Sequence, residues 1–171
     1  MKLYNSRIPA IASEIVEALA AEGDIEVLPE QRNEVTLDVE AILKEYTRVD
    51  REITDRARDT IASKNLPYNR LQEIKKQHAE KRGFGLGDDA VDYITNQVIE
   101  MLFHTAHVEE VYSEDHELRR KMRPVLRRHM AVDTELDLEV RGRIKNLQEG
   151  TSTWENEYQR VMEEIRHSKK L

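Results

Sequence analysis

Apolar residues recur along this chain at intervals of three and four, the spacing of a helix face. Ile8, Ile11, Ile15, Val16 and Leu19 form the first such run. Pro9 suits its opening turn, where no amide hydrogen bond is lost, and Gly23 marks its end. A connector from Asp24 to Arg32 carries Ile25, Leu28 and Pro29. A long run follows through Val39, Ile42, Leu43, Tyr46, Val49, Ile53, Ala57 and Ile61, free of Gly and Pro and stopping before Pro67. Leu71, Ile74 and His78 then mark a shorter, charged helix that ends at Gly83. Period-two alternation is confined to Val35 to Val39, too short a stretch to predict a sheet.

Gly83-Phe84-Gly85-Leu86-Gly87 breaks the chain near its midpoint. The glycines there predict a positive-φ reversal, with Phe84 and Leu86 anchored in the core. Asp88 or Asp89 can cap the helix that follows through Tyr93, Ile94, Val98, Met101 and Leu102. Ser113, with Glu114 and Asp115 behind it, predicts the cap of another long helix through Leu118, Met122, Val125, Leu126, Val132, Leu136, Val140 and Ile144. Pro124 should kink or split that helix early, and Gly150 should close it. Ser152 with Glu155 suggests a capping box for a last helix lined by Tyr158, Val161 and Ile165, its start packed on the core by Trp154.

The two halves match at an ungapped shift of 83 residues. Ile11 falls on Ile94, Glu17 on Glu100, Leu19 on Leu102, Leu43 on Leu126, Val49 on Val132, Asp50 on Asp133, Glu52 on Glu135, Arg58 on Arg141 and Ile61 on Ile144. Helical periodicity alone would match two amphipathic helices. It would not hold one register across a loop or align polar Asp50 with Asp133. The expectation is an all-α fold: a single domain over 1–171, built as a six-helix bundle from two three-helix repeats, 1–83 and 88–171, about a pseudo-twofold axis. A three-helix unit of this size buries little alone, so the two should share a core.

Composition narrows the function classes. Hydrophobic residues are 39% and charged residues 36% of 171, with a formal net charge of -7. Charges of both signs are mixed along the chain, as on solvated helix faces. The acidic balance disfavours a general nucleic-acid binder, though it leaves room for a basic patch. There is no cysteine, which removes disulfides, thiolate ligands and cysteine nucleophiles. The first ten residues lack the pattern of a signal peptide, and no apolar stretch approaches a membrane span. A cytoplasmic protein is expected.

Met1-Lys2-Leu3-Tyr4, Gly23-Asp24-Ile25-Glu26-Val27, the segment from Gly83 to Ile94 and the segment from Val108 to Met122 are distinctive. Together they resemble a family of small bacterial proteins classed as a domain of unknown function. The resemblance runs over almost the whole chain and implies one domain in a bacterial cytoplasm. It implies no catalytic residue, cofactor or partner.

Three constellations bear on chemistry. Glu100, His104 and His107 stand at i, i+4 and i+7, with His116 close behind, donors that suit zinc or iron if one helix presents them. The matching positions in the first half are Glu17, Ala21 and Asp24, so no symmetric di-metal site follows. The Glu164 and His167 pair is a single copy where a di-iron bundle needs two. Asp50 and Asp133 could face each other near the pseudo-axis as an acid–base pair or cation site, or bond Arg58, Arg141 or a helix end. Finally, Arg119, Arg120, Lys121, Arg123, Arg127, Arg128 and His129 form the strongest local charge feature, with Arg120, Arg123 and Arg127 on one helix face. It can be neutralised within the chain, meet an acidic protein or follow phosphates. No interleaved aromatics suggest base stacking.

The Gly83–Gly87 loop lacks the Lys-Ser or Lys-Thr of a phosphate-binding loop and no strand precedes it. The reading that follows is a non-enzymatic adaptor or scaffold that docks a protein partner, without a cofactor. Arg119, Arg120, Arg123, Arg127 and Arg128 are its expected contact surface. A nucleic-acid-associated protein using the same stripe is the alternative, a metal-binding helical protein the third reading, and a homo-oligomer is compatible with each.

Overall fold

A computed structural model describes residues 2–170, with the side chain of Asp133 outside that description. The elements run α1 (Ile8–Ala21), β1 (Ile25–Glu26), α2 (Arg32–Ser63), α3 (Leu71–Arg82), α4 (Ala90–His104), β2 (Glu110–Val111), α5 (Asp115–Arg143) and α6 (Ser152–Lys169). The chain is mostly helical, as its periodicity predicts.

The expected faces are the buried ones. Ile8, Ile11, Ile15 and Leu19 of α1 are fully enclosed, as are Val39 and Leu43 of α2, Ile94 and Val98 of α4, and Leu118, Met122 and Leu126 of α5. α1 lies against α2 and α5, and α4 against α5 and α2. The four helices therefore form a ring around one apolar core. A short antiparallel ribbon, with Ile25 opposite Val111 and Glu26 opposite Glu110, closes the end where α1 and α4 finish. Period-two alternation could not have signalled it, because each strand is two residues long. Val35 to Val39, the stretch that does alternate, lies inside α2.

α2 and α5 have 32 and 29 residues, against 14 and 15 for α1 and α4. At about 1.5 Å per residue the long helices outrun the ring by some four turns, and their apolar faces need further cover. α3 covers α2 around Ala57, Ile61, Leu71 and Ile74. α6 covers α5 around Leu136, Val140, Ile144, Trp154, Tyr158, Val161 and Ile165. The two extensions meet near their tips: Arg58 bonds Glu155 at 3.0 Å, and the Tyr68 ring fills the space a Cβ on Gly150 would need.

The midpoint loop is built as its glycines predict. Gly83 ends α3 in the left-handed region at φ 68°, and a Cβ on Gly85 would stand 2.6 Å from Tyr93 Cβ and 2.7 Å from the Asp89 carbonyl. Phe84 is buried, its ring stacked on Tyr46 at 4.7 Å and edge-on to Tyr93 at 4.9 Å.

Helix boundaries differ from the sequence expectation in α5 and α6. Pro124 does not split α5, which runs unbroken through it. Proline removes a helical N–H bond, and because Pro124 is exposed the freed carbonyl lies on the solvent side. α5 ends at Arg143, short of Gly150. Its cap is Glu114 in a box with Glu117, since Ser113 is turned to Asp24 instead. Thr151, one residue before Ser152, caps α6 by accepting from the Trp154 amide at 3.2 Å.

Candidate functional site

α5 carries the basic run, and its inner face fixes which arginines point outward. Leu118, Met122, Val125, Leu126 and Met130 are buried against α1 and α4, so side chains flanking that stripe meet the neighbouring helices. Arg119 Nε donates to Asn96 Oδ1 at 2.9 Å and Arg123 Nε to Asp92 at 2.8 Å, both on α4. On the other flank Lys121 bonds Glu22 at 2.6 Å and also Asp24. Arg128 bonds Glu14 of α1, with His129 Nε2 3.2 Å from the same carboxylate. The run thus divides, because α5 packs between two helices that each present acids or amides.

Arg120 and Arg127 take no part in this. Both are exposed and neither forms an ion pair among the described residues. Seven residues apart, they project from one line along α5 that continues through exposed Pro124, Ala131 and Glu135 to Leu138 and Gly142. Leu138 is 64% exposed. The sequence grouped Arg123 with Arg120 and Arg127; its bond to Asp92 turns it toward α4. Asn96, Asp92 and Glu14, the partners that divide the run, are distant in sequence and nothing local marks them.

The histidine constellation does not assemble. α4 ends at His104 and Thr105 is extended at ψ 145°, so His107 leaves the helix face that Glu100 and His104 share. His104 Nδ1 donates to the Glu100 carbonyl at 2.7 Å. His107 Nδ1 bonds Asp38 at 2.8 Å, and Thr105 donates to the same carboxylate oxygen at 2.6 Å, which ties the end of α4 to α2. His116 is largely exposed, 3.4 Å from Glu114. Among the described residues no three His, Asp or Glu side chains are placed to hold a metal ion. Glu164 bonds Arg160.

The other conspicuous carboxylates are tied into ion pairs. Asp50 meets Lys75 at 2.7 Å, where the sequence suggested Arg58, Arg141 or a helix end. Glu52 meets Arg56 at 2.8 Å and Arg82 at 3.0 Å. Asp133, the proposed mate of Asp50, has its side chain outside the described residues. Arg141 bonds Asp137 at 3.0 Å and Glu149 at 2.9 Å. Burial works to raise the Asp24 carboxyl, but the bonds from Lys121 and Ser113 override it and hold the group below the usual aspartate range. Asp137 is lowered in the same way, burial being outweighed by the Tyr158 hydroxyl and by Lys2.

A recess of about 200 Å³ opens between α2, α4 and the midpoint loop, lined by Tyr46, Phe84, Tyr93, Arg82, Glu45 and Gln97. A second, of about 380 Å³, lies beside the ribbon near Arg32 and Tyr112. Neither holds a constellation of acid, base and nucleophile. No helix is long and apolar enough to cross a membrane among the described residues.

Set against known proteins, residues 1–171 match the model of a family described as "Protein of unknown function (DUF507)". No curated protein matches the chain.

Proposed function

We propose that this chain, which belongs to the family of unknown function that its whole length matches, is a non-enzymatic adaptor whose outer α5 face docks an acidic helical segment of another protein. The observation that carries this reading is the pair Arg120 and Arg127. Among the described residues they are the two arginines of the basic run left without an acidic partner, and they share one line with the exposed Leu138. Two guanidiniums about 10 Å apart, without a carboxylate partner among the described residues, suit carboxylates two turns apart on a facing helix. An apolar side chain in the same line adds burial that a phosphate backbone does not offer.

The competing reading, phosphate binding, draws on the same arginines. It is weakened by their small number and by the net charge of -7, since affinity for nucleic acid scales with the phosphates neutralised. Gentle purification from the native host, with and without nuclease, separates the two. A nuclease-resistant protein partner supports the adaptor; co-purifying nucleic acid that nuclease removes, together with whatever it carried, overturns it.

The proposal extends to origin and architecture. The resemblance in the sequence supports a bacterial cytoplasmic protein. A tandem duplication, two three-helix units about a pseudo-twofold axis, is supported by the order helix, strand, long helix, helix in each half. An offset of 83 carries the last residue of α1 onto that of α4 and the first of α2 onto that of α5. The exchange of neighbours, α1 on α2 and α5 as α4 on α5 and α2, has the form a twofold axis requires.

A further inference from the structure

The segment before α1 does two things at once. Leu3 enters the central core, while its neighbours reach across to α6. Lys2 Nζ bonds Asp137 at 3.0 Å and lies 5.3 Å from the centre of the Tyr158 ring. Tyr158 donates to Asp137, so its oxygen is free to accept from the Tyr4 hydroxyl at 2.6 Å. Arg166 lies 4.9 Å over the Tyr4 ring and donates to Ser6 Oγ at 2.5 Å. These contacts follow α6 from Tyr158 to Arg166, about 12 Å along its axis.

Among the helices, α6 is held chiefly by α5, through an apolar cluster separate from the central core. Its first turn is anchored at the α2–α3 side by Arg58 with Glu155 and by Tyr68 against Gly150. Its last turn bonds Glu139 through Lys169. Segments with few contacts to the main core open below the free energy of global unfolding.

We propose that Lys2 to Ser6 form a clasp, and that α6 detaches as one unit from α5, pivoting at its Gly150 end, when the clasp is released. Because the clasp runs directly into α1, it couples α6 to the central ring; without it the α5–α6 hairpin is held by its own small cluster. Release uncovers Leu136 and Val140 on the same helix that carries Arg120, Arg127 and Leu138, and Ile144 just past its end. The clasp therefore regulates how much of α5 is exposed, independently of what binds Arg120 and Arg127.

Hydrogen exchange on the full chain tests this. Tyr4→Ala and Arg166→Ala should each speed exchange in α6 and in 136–144 by about tenfold or more, with amides of α1, α2 and α4 unchanged. Tyr4→Phe, which keeps the ring beneath Arg166 and loses only the hydroxyl, should fall between. Arg160→Ala, whose ion pairs are with Glu157 and Glu164 of α6 itself, should leave 136–144 protected. Should Tyr4→Ala fail to fold, Lys2→Ala serves in its place, with a smaller rise confined to the same segments. Unchanged exchange in α6, an equal rise across every helix, or an equal effect of Arg160→Ala would overturn the proposal.

Discussion

Asp24 and Lys121 form an ion pair between the end of α1 and the first turns of α5, across almost a hundred residues of chain. Ser113 donates to the other Asp24 oxygen at 2.6 Å, and the Asp24 carbonyl accepts from the Tyr112 amide at 2.9 Å. A buried carboxylate is tolerated only when so satisfied. This one fastens the ribbon end of the bundle.

The pair has a consequence for acid stability. Asp24 and Asp137 both have lowered native values, so the stability they confer is fully present above the ordinary aspartate range. It is lost as pH falls below about 4 and through the depressed native values. The thermal midpoint followed by circular dichroism should hold near neutrality and drop below that point. Asp24→Asn and Asp137→Asn should each lower the neutral midpoint and flatten the acid limb. An acid limb as steep in both variants as in the wild type would contradict this.

The aromatic cluster at the midpoint loop should be a principal stabilising contact. Phe84→Ala removes a buried ring stacked on Tyr46 and should cost about 3–5 kcal/mol. Tyr46→Phe removes the bond that Tyr46 Oη donates to the Gly85 carbonyl at 3.0 Å and should cost about 1–2 kcal/mol. Urea unfolding measures both; equal effects would contradict the stacking argument.

Two glycines should respond in opposite directions. A Cβ on Gly85 collides with the Asp89 backbone and Tyr93, whereas one on Gly142, inside α5, meets open space. Gly85→Ala should destabilise by about 1–3 kcal/mol. Gly142→Ala should stabilise by about 0.5–1 kcal/mol, since glycine costs that much within a helix.

Long-range periodicity carried the helices into view: the enclosed side chains of α1, α2, α4 and α5 are those spaced at three and four in the sequence. What stayed hidden depends on pairs far apart. Ile25 and Val111 pair in a ribbon too short for any pattern. Glu14, Asp92 and Asn96 claim Arg128, Arg123 and Arg119, and no local signal at those positions announces it. The helical face proposed for Glu100, His104 and His107 failed for a nearer reason: α4 stops at His104, where Thr105 turns out to bond Asp38. The basic run was legible as a feature, but which of its arginines are free depended on the packing of α5.

The clearest single measurement compares partner capture by the wild type with capture by the Arg120→Glu, Arg127→Glu double variant, after nuclease treatment and with matched folding by circular dichroism. Arg128→Ala, which removes a charge already committed to Glu14, is the control. If the outer α5 face docks an acidic protein segment, the wild type and the control retain the same nuclease-resistant partner and the double variant loses it at least tenfold. Undiminished capture by the folded double variant would contradict the account.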